Sequence, residues 1–345
     1  MRIIDKAISF ILLHILQLRV SKTVEINGIK LYINPIDRGG RTYFTGHPYK
    51  EAIDPLYKLI KKEFNPSLVL DIGANYGFIS MICAKYFPGA WIIAIEPDKR
   101  LCRYIKKSST ANLQYVEVIN AICDKEAGIE KSISLNPVNS MDNRVKPPFR
   151  LWREKQVETV SIDYLVSLMD PIKTVFIKTD TQGYEGHVIR GGEKFLTTNK
   201  NWLMKAEFAP QLLLQHGTDP VEFLKYLINR YDVVDYHGTS HNEAGINDLF
   251  LGKITDAYRF IEYVTKRNHS DLGWIDLLIR PKSDYDPKRY HALEFIHYII
   301  TTYFSELGDD EWVWVEKAYK NWKNDHNSER SKSPQSTRWR RCESY

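Results

Sequence analysis

The sequence predicts an α/β protein on a mostly parallel, doubly wound sheet, and three observations carry that expectation. Apolar runs of strand length alternate with stretches of helical spacing as far as about residue 280. Two of those runs stop on an acid and a glycine turn: Val69 to Gly77, with Asp71, Gly73, Asn75 and Gly77, and Val175 to Gly183, with Asp180. Glu96 closes a further apolar run about 20 residues beyond Gly77, the interval at which an acid on the next strand meets ribose hydroxyls. Ligands of an open parallel sheet bind outside the carboxyl ends of its strands, so these turns should form the floor of a site.

Ile4, Ile8, Ile11, Ile15 and Leu18 fall on one helical face in an apolar amino-terminal stretch. Ser9, His14 and Gln17 interrupt it, and it is shorter than the roughly 20 residues of a spanning helix. It reads as a helix packed on the protein or a partner, or as an interfacial membrane helix over residues 1–20. Thr23 to Ile33, with Asn27-Gly28, reads as a hairpin serving as lid or apron, which closes an amino-terminal unit of residues 1–44. A helix from about Glu51 to Phe64, with Leu56, Tyr57 and Ile60 inward, leads into the strand ending near Asp71. The turn at Gly77 opens a helix from Phe78 to Phe87, and Ala90 to Ile95 is the strand that Glu96 closes.

Beyond Glu96 come a helix from about Arg100, a strand at Tyr115 to Ile119 and the rim segment Asn120 to Asp124. Ile133 and Leu135 alternate with polar residues, and the stretch from Asn139 through Pro147-Pro148 reads as a mobile loop over the site. Val157 to Ile162 is expected as a strand on the outer layer of the sheet. Further strands are expected at Val175 to Thr179, Leu203 to Phe208, Val233 to Tyr236 and Trp274 to Ile279, with helices to Leu196 and over Pro220 to Tyr231. The main domain then covers residues 45–282, interrupted at 238–273 by an insertion holding His241 and a helix at Ala257 to Thr265. Residues 283–324 read as accessory helices rich in aromatic residues, and 325–345 as a disordered basic tail.

With 345 residues and 43% hydrophobic side chains, the chain can bury a substantial core. Its net charge of +5 is concentrated: from His326 onward five Arg or Lys face two Glu, which leaves about +2 elsewhere. That is too little for a nucleic-acid footprint. Four scattered cysteines match neither a zinc site nor a disulfide framework and suggest a reducing, cytoplasmic setting.

Asp71, Glu96, Asp124 and Asp180 place carboxylates at or just past four strand ends. Such an edge repels phosphate and favours a ligand with a positive centre and hydroxyls, a combination that S-adenosylmethionine offers. Asn75 stands where a dinucleotide loop needs its second glycine, which disfavours an NAD-dependent dehydrogenase.

The ordered set Asp71 to Gly77, Ile-Glu-Pro-Asp at 95–98, Asn-Ala-Ile-Cys-Asp at 120–124, Ile-Lys-Thr-Asp-Thr-Gln-Gly-Tyr-Glu at 177–185, Arg-Gly-Gly at 190–192 and Ala-Glu-Phe at 206–208 resembles the FkbM family of S-adenosylmethionine-dependent methyltransferases. The likeness spans roughly residues 45 to 280. It implies a Rossmann-like seven-stranded methyltransferase sheet whose last hairpin is reversed. By motif position, Asp71, Gly73, Asn75 and Gly77 would cradle the methionine part of the cofactor. Glu96 would hold the ribose diol, Ala121 to Asp124 would lie by the adenine, and Asp180 near the transferable methyl. The implied reaction is O-methylation of a hydroxyl on a glycan, lipid-linked sugar or small natural product. Asp180 is the first choice of base, followed by Glu207 and His241. Oxygen ligands at Asp180 and Glu207 with His241 would suit magnesium, though no metal is assigned. The alternative is a noncatalytic interaction module using Trp312, Trp314 and Trp322 as anchors.

Overall fold

Strand periodicity decides the architecture. The computed structural model describes residues 11, 20–45, 53–145, 152–169, 174–236, 246–267 and 273–282. The expected amino-terminal helix (apart from residue 11), His241, the helices after Pro287 and the basic tail lie outside these residues.

The described elements begin with the hairpin β1 (Lys22–Ile26) and β2 (Ile29–Ile33), then helices α1 (Arg38–Thr45) and α2 (Pro55–Glu63). The first half of the main sheet follows: β3 (Leu68–Ile72), α3 (Phe78–Tyr86), β4 (Trp91–Ile95), α4 (Lys99–Ala111) and β5 (Glu117–Ile119). Next come β6 (Ile122–Cys123), β7 (Glu130–Leu135), β8 (Arg153–Val160) and α5 (Ile162–Ser167). The second half holds β9 (Val175–Thr179), α6 (Glu185–Arg190), α7 (Glu193–Thr198), β10 (Trp202–Phe208), α8 (Pro210–Gln215), α9 (Pro220–Arg230) and β11 (Tyr231–Tyr236). Helices α10 (Ile246–Leu249) and α11 (Ala257–Arg267) lead to β12 (Ile275–Pro281).

Seven strands form the main sheet in the order β11-β12-β10-β9-β3-β4-β5. Strands β5, β4, β3, β9 and β10 run parallel, and β12 lies antiparallel between β10 and β11 as the reversed hairpin. Strand order reverses between β3 and β9, where a crevice must open because the flanking helices leave on opposite faces.

Alternation along each strand feeds two cores. Leu68, Leu70, Ile72, Val175, Ile177, Met204 and Ala206 bury on one face. Val69, Phe176, Leu203, Ile92 and Ala94 bury on the other, against Leu56, Tyr57, Met81 and Ile82. A fully buried Leu or Ile contributes about 1.5–3 kcal/mol through apolar burial, so register is strongly enforced.

Three features differ from the sequence expectation. The run expected on the outer layer, β8, instead belongs to a separate three-stranded sheet, parallel to β6 and antiparallel to β7. The hairpin does not serve as a lid: β2 packs on α4, with Tyr32 N–H donating to Ser108 Oγ and Lys30 N–H to Asn112 Oδ1 (both 2.9 Å). Residues 136–145 are pinned rather than loose. Asn136 Oδ1 accepts from the Val138 and Asn139 N–H groups, and Asn143 Oδ1 accepts from Asn136 N–H.

Candidate active site

Glycine begins the site. Gly73 has φ +74°, and a Cβ there would sit 2.0 Å from the Asp180 carbonyl oxygen. Only a residue without a side chain lets the β3 and β9 loops meet this closely. The next turn holds Asn75 at φ +52° and aims its N–H at Glu96 Oε2 (2.8 Å), while Asp98 N–H reaches Glu96 Oε1 (2.8 Å). Two backbone donors thus fix a carboxyl that is 4% exposed. Burial still dominates and pushes the Glu96 pKa up to about 8, offset in part by those amides.

The opposite wall is a polar row on one face of the sheet. Strand alternation puts Asp71, Lys178, Lys205, Glu207 and Asp276 on the same side as Val69, Phe176 and Leu203. Register pairs Asp71 with Lys178, Lys178 with Lys205, and Glu207 with Asp276. Lys178 Nζ lies 3.6 Å from Asp71 and 3.7 Å from Asp180, and donates to the Gly73 carbonyl (3.2 Å). Burial alone would lower the pKa of its ammonium, but the Asp180 and Asp71 carboxylates outweigh it and raise it. Lys205 lies 3.1 Å from Asp276 and 3.4 Å from Asp54. Gln182 Nε2 bridges Asp180 Oδ1 (3.1 Å) and Glu207 Oε2 (3.5 Å). Desolvation first, then the charges of Asp180, Glu185 and Asp276, push Glu207 well above the usual carboxylate range. The Asp180 side chain, by contrast, is 44% exposed.

Between these walls lies a cavity of ≈ 730 Å³. Its roof comes from α1, which the sequence reading left out of the site, and from the 136–145 segment, most of which it placed over the site as a mobile loop. Asp37 accepts from Gly40 N–H (3.0 Å), Tyr76 Oη (2.8 Å), and Ser140 N–H and Oγ (2.9 and 2.5 Å). That buried latch ties α1 to the 136–145 loop, so Arg38, Tyr43, Met141 and Arg144 face the cavity.

The expected site residues separate into two sets. Gly73, Asn75, Glu96, Ala121, Asp180 and Glu207 line the cavity. Asp71, Asp124 and Gly77 do not. Asp71 sits one residue inside β3, fully buried, where it accepts from Ser80 Oγ (2.5 Å) and faces Lys178. Asp124 turns from the rim to pair with Lys131 and lies 3.8 Å from His187 Nδ1. Gly77 starts α3 at φ +79°, packed against Ile105. In this structure the three are engaged within the framework and do not line the cavity. Among the described residues, no three His, Cys, Asp or Glu side chains converge as a metal site. Lys178, Lys205, Gln182 and Asp276 were missed. A lysine inside an otherwise apolar strand, as at 178 and 205, was the available signal.

A glycine-turned, acid-lined crevice at the switch point of this sheet defines the class of fold as Rossmann-like, with its ligand crevice at the carboxyl edge. The family model of the methyltransferase FkbM domain matches residues 71–234. The chain is 29% identical over 118 residues to malonyl-(acyl-carrier protein) O-methyltransferase of Halalkalibacterium halodurans, a match covering 33% of this chain and 40% of that relative's length. Among solved structures, methyltransferase FkbM from Methylobacillus flagellatus KT aligns over 63% of this chain and 44% of that one, with 15% identity and a TM-score of 0.33. TYW2 of M. jannaschii in complex with AdoMet aligns over 76% and 84%, with 12% identity and a TM-score of 0.35.

Proposed function

We propose that the chain transfers the methyl group of S-adenosylmethionine to a hydroxyl of a glycan, lipid-linked sugar or small natural product. The observation that carries this reading is the division of one cavity between the amide-fixed Glu96 and the accessible Asp180, within the residues that the FkbM family model matches.

The residues fit such a cofactor. Asn75 Oδ1 and Thr179 Oγ1, on cavity-lining residues, are buried without hydrogen-bond partners among the described residues. Each Glu96 oxygen keeps a lone pair beyond its amide bond, so the carboxylate can accept both hydroxyls of a vicinal diol. Asn75 and Gly73 would border the methionine part, and Ala121 the adenine. When bound, the cofactor supplies an electrophilic methyl whose bonding pair leaves on sulfur.

The chain's own residues then align the acceptor and take its proton. Asp180 receives the hydroxyl proton as the acceptor oxygen forms its bond to carbon. Gln182 holds the Asp180 carboxylate in place. Glu207, whose burial beside Asp180, Glu185 and Asp276 favours the neutral carboxyl, lines the same cavity within reach of an acceptor held at Asp180. Isothermal titration with S-adenosylmethionine tests the first half, and absence of heat from folded protein would end the enzyme reading. Incubation with radiolabelled cofactor and sugar fractions tests the second, with label expected in a hydroxyl-bearing product. Cofactor binding without transfer to any fraction would favour the interaction-module alternative.

A further inference from the structure

We propose that the outer face of α4, continued by Leu113 and Tyr115, docks on an anionic lipid bilayer. Helix α4 carries Lys99, Arg100, Arg103, Lys106 and Lys107, and not one acid in 13 residues. Lys99, Arg103, Lys106 and Lys107 are exposed along a single stripe at helical spacing, while Leu101, Cys102 and Ile105 face the core.

This charge does not serve the helix itself. Lys99 and Arg100 stand in the first turn, where the helix dipole disfavours cations, and the last turn holds none. A helix face stabilised by its own charges intersperses acids three or four residues away, and this one does not. Asp98, the cap, compensates Arg100 alone, at 2.7 Å. Neighbouring β2 adds exposed Lys30, held to Asn112 of the α4 cap by paired hydrogen bonds.

Where the stripe ends, the surface becomes apolar. Leu113 is 96% exposed and sits at φ +54°, a conformation that Gly or Asn would adopt at lower cost. Tyr115 is 76% exposed. A cationic stripe ending in an aliphatic and an aromatic side chain is what an anionic interface recognises, with lysines at the headgroups and apolar groups beneath them.

Val20 lies beside the same helix: Tyr104 Oη, on α4, donates to the Val20 carbonyl (2.8 Å). The sequence before it puts Ile4, Ile8, Ile11, Ile15 and Leu18 at helical spacing together with Arg2, Lys6 and Arg19. Among the described residues no helix is long and apolar enough to cross a membrane.

Co-sedimentation of the full chain with vesicles tests the proposal. Binding is expected to phosphatidylcholine vesicles containing phosphatidylserine, to fall with salt, and to be far weaker with phosphatidylcholine alone. Replacing Arg103, Lys106 and Lys107 together by Gln should weaken it about 100-fold, from about 1 kcal/mol per basic side chain at an anionic surface. Leu113→Ser should weaken it by a smaller factor. Both variants should melt with the wild type, because the changed side chains are exposed. Equal binding to the two vesicle types, or undiminished binding by the folded triple variant, would overturn the proposal. So would tighter binding to duplex DNA than to the anionic vesicles, which would assign the face to nucleic acid.

Discussion

Asp71 and Glu96 lie on adjacent parallel strands, and both are carboxylates closing apolar runs. Their surroundings differ. Asp71 pairs with Ala94 inside the ladder, one step before the end of β3, and its oxygens meet Ser80 and Lys178. Glu96 stands one residue past the end of β4, and its oxygens meet two backbone amides at the edge of a cavity. The second half of the sheet repeats the division: Lys178 lies inside β9, whereas Asp180 follows its end. Two residues of register separate a charge held inside the ladder from one past its end, because side chains inside a ladder are aimed at a packed layer and those beyond it are freed from the pairing.

The largest effect expected across that boundary is at Asp180. Asp180→Asn should lower turnover about 100- to 10,000-fold, the range for losing a general base, while cofactor affinity stays within about threefold. Titration calorimetry beside an activity assay measures both quantities. An equal loss of cofactor affinity would move Asp180 to the cofactor side.

Asp71 should behave oppositely. Asp71→Ala removes one partner of a buried charge pair, for which destabilisation of about 3–5 kcal/mol is typical, read as a lower urea midpoint. A variant as stable as wild type that lost only cofactor affinity would return Asp71 to the cofactor site.

Glu96 gives the smallest and most diagnostic effect, a pH dependence. Its pKa is raised from 4.5 to about 8 by burial, so the protonated form is favoured in the free protein at neutral pH. A diol donates to the carboxylate. Cofactor affinity should therefore fall about tenfold, or 1.4 kcal/mol, per pH unit below about 8 and level off above it. Free-protein stability runs the other way. The raised pKa contributes stability fully present below about 4.5 and lost as pH rises through about 8. Affinity titrated from pH 6 to 9 tests this, with Glu96→Ala as the flat, weak-binding control; a wild-type slope of zero would show that Glu96 does not meet the diol as an anion.

Much of the frame was legible because it depends on local pattern. Alternation placed the strands, the Asn27-Gly28 turn marked the hairpin, and the 20-residue interval picked out Glu96 before any coordinates. Asp180 and Glu207 were legible as acids beside glycine or proline at strand ends. The placement of Asp71 inside the strand was not legible because apolar Ile72 looked like part of the turn although it still pairs with Ile95. The partner of Asp124 was not legible because Lys131 comes from β7 in a sheet that the sequence did not reveal. The Asp37 latch joins residues 103 positions apart, and no local period reports such a contact.

By itself, then, the sequence determined the alternating strands and helices of the sheet and the chemistry gathered at its carboxyl edge, since these follow from backbone periodicity and from residue types at turns. The reversed hairpin was implied only by the resemblance to the FkbM family. Only the tertiary structure decided which of those acids open onto the cavity and how its roof is latched. Those outcomes depend on whether a residue lies inside a ladder or past its end, and on partners brought together from distant parts of the chain.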